Sequence, residues 1–296
     1  MNMHSLQMNI QKELWEYKRI FVWLPVILAS LIVLIPVLNY LLGDGLPINW
    51  QQQLNRISQQ QDNMLFSQIV FGFISALFAP FMIVAFIVQL YYFTACFFDE
   101  RRDLSIVFWR SLPVPDSQTV GVKLLVGAII LPAIFMLAAT MVLLLFVLVA
   151  LIACTVLSVS QNIDIWGIWL SGEWISNFLI TWSSLLPLSL WLLPVYAWLM
   201  LASIYAKKAP FLLAILPVTI LVIVEAIIVE YFNLASPYFT VMLVNYFDFS
   251  NAITGQYTSI SAMPINAIMS KVTVGTFVLG GSFIYATYWL RVNRGQ

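Results

Sequence analysis

Two acids and one crowded charged stretch are the residues of this chain best placed to do chemistry. Glu225 and Glu230 lie in a run from about Ala209 to Phe232 that holds no other charged residue. A carboxylate inside an apolar helix is expensive and functional by default. It points to a contact for a polar or cationic substrate, to a proton site, or to a packing bond with a neighbouring Ser, Thr or Tyr. The crowded stretch is Asp99-Glu100-Arg101-Arg102-Asp103, which leads into Phe108-Trp109-Arg110-Ser111-Leu112-Pro113. Aromatic rings with an arginine beside them form the energetic centre of many protein interfaces. Anchoring of the same rings among lipid headgroups is the alternative.

Other chemistries lack their parts. His4 is the only histidine and stands outside every apolar run. A His-based nucleophile pair or a zinc site inside the apolar segments therefore has no ligand or base. An aspartyl dyad would need two Asp residues there, and no apolar run contains one. Cys96 and Cys154 are the only cysteines, too few and too apolar in setting for a disulfide framework or a metal site. No G-x-x-x-x-G-K-[ST] phosphate loop occurs, so the chain is not expected to hydrolyse ATP itself. No cofactor is expected. The formal net charge is zero, so no basic excess argues for nucleic acid.

The elements that must position these residues are membrane helices. Of 296 residues, 62% are hydrophobic and 9% charged, against about 25% charged in soluble domains. A bilayer core of about 30 Å needs ~20 apolar residues as a helix. Six runs qualify, at about Phe21–Leu42, Phe66–Phe98, Val120–Leu157, Ile175–Tyr205, Ala209–Phe232 and Val272–Leu290. The first is read as a retained span and not as a cleaved leader. The second, third and fourth exceed one crossing, so tilt or protrusion must absorb the excess. Pro25, Pro36, Pro80, Pro132, Pro187, Pro194 and Pro217 each remove a backbone donor and predict kinks. The fold class is all-α, with one membrane domain over residues 21–296 preceded by a short helix over 1–20.

Orientation follows from the cations. Lys12, Lys18 and Arg19 precede the first run, and Arg101, Arg102, Arg110 and Lys123 fall between or at the edges of the second and third. Lys207 and Lys208 follow the fourth, and Arg291 and Arg294 the sixth. Only Arg56 and Lys271 lie on the other side. The positive-inside rule makes both termini cytoplasmic.

Leu6, Ile10, Leu14, Tyr17 and Phe21 recur at helical spacing, with Gln7, Gln11, Lys12, Glu16, Lys18 and Arg19 around them. This predicts an amphipathic helix in the membrane interface, apolar face in lipid. The external segment 233–270 is rich in rings, among them Tyr238, Phe239, Tyr246, Phe247, Phe249 and Tyr257. Short helices packed on, or re-entering, the outer leaflet would account for it. Trp166, Trp169, Trp174 and Trp182 cluster near the start of the fourth run and read as interfacial anchors or as a stacking site. Asp103 could cap a short helix through Phe108 and Trp109, which Pro113 and Pro115 would stop.

The run D-E-R-R-D-x-S-x-x-F-W-R-S-L-P-V-P, followed by Lys123, resembles the permease subunits of type-2 ABC transporters. Six spans, an N-terminal interfacial helix and short helices between the fifth and sixth spans are shared with that family in the same order. The resemblance covers nearly the whole chain, and its specificity rests on residues 99–123. Pro115 stands where the family often has Ser or Thr.

The resemblance implies an exporter subunit in the cytoplasmic (inner) membrane, moving by alternating access. It implies a coupling segment, residues 99–118, that docks on a separate ATPase subunit through Asp99, Glu100, Arg101, Arg102, Asp103, Phe108, Trp109, Arg110, Leu112 and Pro113. It also implies a second permease copy or related permease, with lipid around both. Two other classes fit the composition. One is an ion-coupled transporter or channel using Glu225, and the other a non-transporting membrane assembly protein.

Overall fold

The computed structural model describes residues 3–42, 63–103, 115–161, 166, 169, 173–233, 236–248 and 263–293. Among them every regular element is a helix. In chain order these are α1 (Met3–Glu16), α2 (Leu24–Leu42), α3 (Asn63–Ala95), α4 (Phe98–Arg102), α5 (Asp116–Leu125) and α6 (Leu131–Gln161). There follow α7 (Trp174–Ser183), α8 (Leu185–Trp191), α9 (Leu193–Tyr205), α10 (Pro210–Phe232), α11 (Tyr238–Phe247), α12 (Met263–Lys271) and α13 (Val274–Asn293). Two π-helical segments, Arg19–Trp23 and Val126–Ile130, join α1 to α2 and α5 to α6.

Four stretches are long and apolar enough to cross a membrane: Arg19–Asn39, Phe66–Arg102, Asp116–Val159 and Pro210–Phe232. A fifth is broken, with Trp174–Trp191 bent by 54° from Leu193–Tyr205. These are the marks of a polytopic helical membrane protein. The sixth expected run forms α13, 20 residues long. Gly275, Thr276, Gly280, Gly281, Ser282 and Thr287 dilute its apolar content, and it falls short of the other five. It packs instead along α9, where a Cβ at Gly280 would come within 2.9 Å of the Leu193 side chain.

The third crossing runs 44 residues with its π segment, about 66 Å at 1.5 Å per residue. The surplus carries α5 beyond any hydrocarbon layer. The fourth run was expected to kink at its prolines, and the structure divides it at Ser184 and Leu192. Pro187 and Pro194 supply the reason. Each lacks an amide donor, and Pro194 suits the first turn of a new helix.

The core lies where α3, the α5–α6 helix and α9 meet. Ile74, Phe81, Tyr92 and Phe93 of α3, Leu131, Phe135 and Ala139 of α6 and Tyr196 and Met200 of α9 are all fully or nearly fully buried. By contrast α2 and α10 leave most of their large apolar side chains exposed, as lipid-facing helices do.

The apolar stripe of α1 faces the protein and not, as its pattern predicts, the lipid: Tyr17 and Phe21 are buried, and Leu6, Ile10 and Leu14 pack against the core. Among the described side chains of α1, Met8 and Trp15 are the large apolar ones left exposed.

Candidate functional site

Six charged side chains from four separate elements meet at one end of the bundle. Lys123 of α5, fully buried, reaches Glu13 of α1 at 2.8 Å and Glu100 of α4 at 3.1 Å. Glu100, 1% exposed, also takes Lys12 at 3.1 Å and Arg291 of α13 at 3.3 Å. The Nε of Arg291 donates to Asp116 at 2.7 Å, and the Tyr92 hydroxyl donates to Glu13 at 3.0 Å.

Three cations face three carboxylates, so the cluster is neutral as a whole. That balance is what permits its burial, since an uncompensated ion in the interior is costly. Phe97 lies beside both Lys123 and Arg291, with ring-to-cation distances of 5.3 and 5.1 Å. Tyr17, Tyr92 and Phe93 wall the membrane side.

A reciprocal cap adjoins this cluster. The amides of Phe97 and Phe98 opening α4 donate to the buried Ser203 hydroxyl of α9, at 3.1 and 3.0 Å. In return Arg101 donates to the carbonyls of Ser203 and Ala206 at the end of α9, at 2.6 and 2.8 Å. A cation at a helix C-terminus satisfies open carbonyls and suits the helix dipole.

The charged stretch is thereby split. Glu100 and Arg101 turn inward, while Arg102 pairs with Asp99 at 3.3 Å and with Asp103 at 3.0 Å on the outer side. Exposed, solvent-screened pairs of that kind contribute little to stability. Glu100, expected on a partner-facing surface, is committed to the interior instead. Asp103 closes α4. Phe108, Trp109, Arg110, Leu112 and Pro113, and the short helix Asp103 was expected to cap, lie outside the described residues.

A second polar group sits deeper. Gly127 and Ala128 belong to the Val126–Ile130 π segment, and side chains of other helices bond to their carbonyls. Gln89 of α3 donates to the Gly127 carbonyl at 2.9 Å and accepts from the Tyr196 hydroxyl of α9 at 3.0 Å. Ser189 of α8 donates to the Ala128 carbonyl at 2.7 Å. A Cβ at Gly127 would meet the ring of Phe93 at 2.4 Å, so only glycine lets α3 approach this closely. π segments in membrane and soluble helices alike tend to occur at functional positions.

Both oxygens of Glu225 are engaged by α11. Its carboxylate accepts from the amides of Phe239 and Thr240, at 2.5 and 2.8 Å, and from the Thr240 hydroxyl at 2.7 Å. It therefore caps the N-terminus of α11 from a neighbouring helix. Because Glu225 lies two turns inside the end of α10, α11 re-enters to that depth. Tyr246 at its far end stacks on Trp191 and donates to the Trp191 carbonyl at the α8–α9 break. Glu230 stands exposed on α10. Of the tryptophans, Trp169 stacks on Trp174 at 4.7 Å, and Trp182 donates to Thr140 of α6 at 3.1 Å.

Sequence reading missed Glu13, Asp116, Gln89 and Ser189. Glu13 had a signal: it stands three residues after Ile10 and four before Tyr17, inside the apolar stripe of α1. An acid there must either face lipid or find a buried cation. Among the described residues no three His, Cys, Asp or Glu side chains gather so as to hold a metal ion. No family model, no curated protein and no solved structure matches the chain.

Proposed function

We propose that this chain is the membrane-spanning permease subunit of an ATP-driven exporter in the cytoplasmic membrane. In this reading α13 completes six spans, and both termini and the charged end of the bundle face the cytoplasm. A separate ATPase subunit grips residues 104–114 through Phe108 and Trp109. Two permeases and two ATPases make the transporter, and Glu225 and Glu230 line the external part of the substrate path.

The observation that carries the reading is the anchoring on both sides of residues 104–114. On one side Glu100 and Arg101 are tied to α1, α9 and α13. On the other Asp116 and Lys123 are tied to α13 and α1. A displacement of the intervening segment would move these elements together, as a rigid-body transition requires. A segment that merely floated in the headgroups would have no use for such fixtures. Ion coupling through Glu225 is less favoured, because both its oxygens are engaged in capping α11.

The test is a mild-detergent pull-down of the tagged chain from its native membrane. A stoichiometric soluble ATPase is expected, and Phe108→Ala with Trp109→Ala should release it while the chain stays folded. A chain that purifies alone and transports in proteoliposomes without ATP would overturn the proposal.

A further inference from the structure

We propose that a groove between α9, α10 and α13 binds an anionic phospholipid, with an acyl chain in the cleft and the headgroup phosphate on Lys208. The groove encloses about 600 Å³, inside the range of roughly 300–1,000 Å³ typical of ligand sites. Its walls are Trp198 and Leu201 of α9, Leu213, Leu216 and Pro217 of α10, and Leu290 of α13. The Trp198 indole is held as a fixed wall by its bond to the Ala214 carbonyl, at 2.9 Å.

Polarity is confined to one end. Lys208 lines the mouth and is exposed, in the turn where α9 ends and α10 begins. That turn is tight. Ala209 adopts φ 47°, in the left-handed region, which fixes where Lys208 projects.

This distribution selects the occupant. A polar solute would meet no partner along the aliphatic walls, whereas an acyl chain needs none. A cation at the helix ends, level with the charged end of the bundle, suits a phosphate at headgroup depth, and lysine's flexible stem lets it follow that phosphate. The groove also borders the ion cluster. Leu290 precedes Arg291, so a bound chain would pack against the helix that delivers Arg291 to Glu100.

The test uses the full chain in vesicles of phosphatidylglycerol or phosphatidylcholine bearing the same dibrominated acyl chains, which quench indoles they touch. The chain has eleven tryptophans, so the difference between wild type and Trp198→Phe isolates the groove. Trp198 should be quenched preferentially by phosphatidylglycerol, by about fivefold, the ratio given by ~1 kcal/mol per lysine at an anionic surface. Lys208→Gln should abolish that preference and leave quenching by phosphatidylcholine unchanged. Native mass spectrometry provides a second readout: one retained phosphatidylglycerol in wild type, lost in Lys208→Gln. Equal quenching by both lipids, or a preference that survives Lys208→Gln, would reduce the groove to ordinary lipid contact and overturn the proposal. Absence of Trp198 quenching would also overturn it, by showing that protein fills the groove.

Discussion

Lys123→Met removes the cation at the centre of the buried cluster while keeping a side chain of similar length. Lys123 is fully buried and bonds Glu13 at 2.8 Å and Glu100 at 3.1 Å. After the change Glu100 retains Lys12 and Arg291, but Glu13 retains only Lys12 at 3.9 Å and the Tyr92 hydroxyl. The cluster then carries one uncompensated negative charge. Breaking a buried pair from one side costs about 3–5 kcal/mol. Because neither carboxylate is left wholly unserved, the lower end, ~3 kcal/mol, is expected. At roughly 2–4 °C per kcal/mol, the midpoint of thermal unfolding in detergent should fall by about 6–12 °C. The double variant Lys123→Met with Glu13→Gln restores neutrality and keeps an acceptor for Tyr92. It should recover about 2 kcal/mol of the loss, a coupling expected of groups in one network. Intrinsic fluorescence during heating measures both. A single variant within 1 kcal/mol of wild type, or two substitutions whose effects simply add, would refute the claim that these charges form one balanced unit.

Three further outcomes follow from the geometry. Gly127→Ala pushes a methyl into Phe93 and Tyr92, so it should destabilise by about 1–3 kcal/mol. Gly121→Ala, with open space around it, should be neutral or stabilising by up to ~1 kcal/mol, and thermal unfolding of the pair separates crowding from helix propensity. Gln89→Leu leaves the Gly127 carbonyl and the Tyr196 hydroxyl without their partner, at about 1–2 kcal/mol; adding Tyr196→Phe should cost little more, a sub-additivity readable by a double-mutant cycle. Glu225→Ala removes the cap of α11, so hydrogen exchange at the amides of Phe239 and Thr240 should quicken while that of α9 stays unchanged. Unaltered exchange would separate Glu225 from the placement of α11.

Much of this fold is written in runs long enough to read. The apolar stretches around Phe66–Phe98 and Ala209–Phe232 become the helices their length demands, and Pro187 and Pro194 mark where the fourth run breaks. The charged end was legible as well: Lys12, Arg101, Lys123 and Arg291 were assigned to one side from loop charge alone, and all four gather at one end of the bundle. Their pairings were not legible. Which acid meets Lys123 depends on how α1 is rotated against α3 and α5, and a helical period constrains that rotation only through Glu13's place in the stripe. The π segments had no local signal either, since Val126–Ile130 reads as ordinary apolar helix. Its shape depends on Gln89 and Ser189, 38 and 61 residues away along the chain from the carbonyls they serve. Glu225 was read as either functional or structural, and only the return of α11 to its depth supplies the bonding partner.

The irregular backbone is not scattered at random about the cluster. The π segment Arg19–Trp23 begins six residues after Glu13, and the segment Val126–Ile130 begins three after Lys123. The α3–α4 junction lies within five residues of Glu100, and the Leu192 break lies three turns before Ser203. Four of the elements that leave the charged end toward the apolar region thus carry a fault in their hydrogen-bond ladder soon after leaving. Buried ion pairs and reciprocal caps make the charged end stiff, because opening any one of them exposes a charge or an open backbone group to a poor environment. A non-α segment is the easier place to bend, since its ladder is already interrupted, and in Val126–Ile130 two carbonyls already answer to side chains. Stiffness and compliance therefore alternate along each of these helices in the same order. A load applied at the charged end would pass through the cluster undivided and be taken up at those faults, and at Val126–Ile130 the bonds of Gln89, Tyr196 and Ser189 would set how far the helix yields.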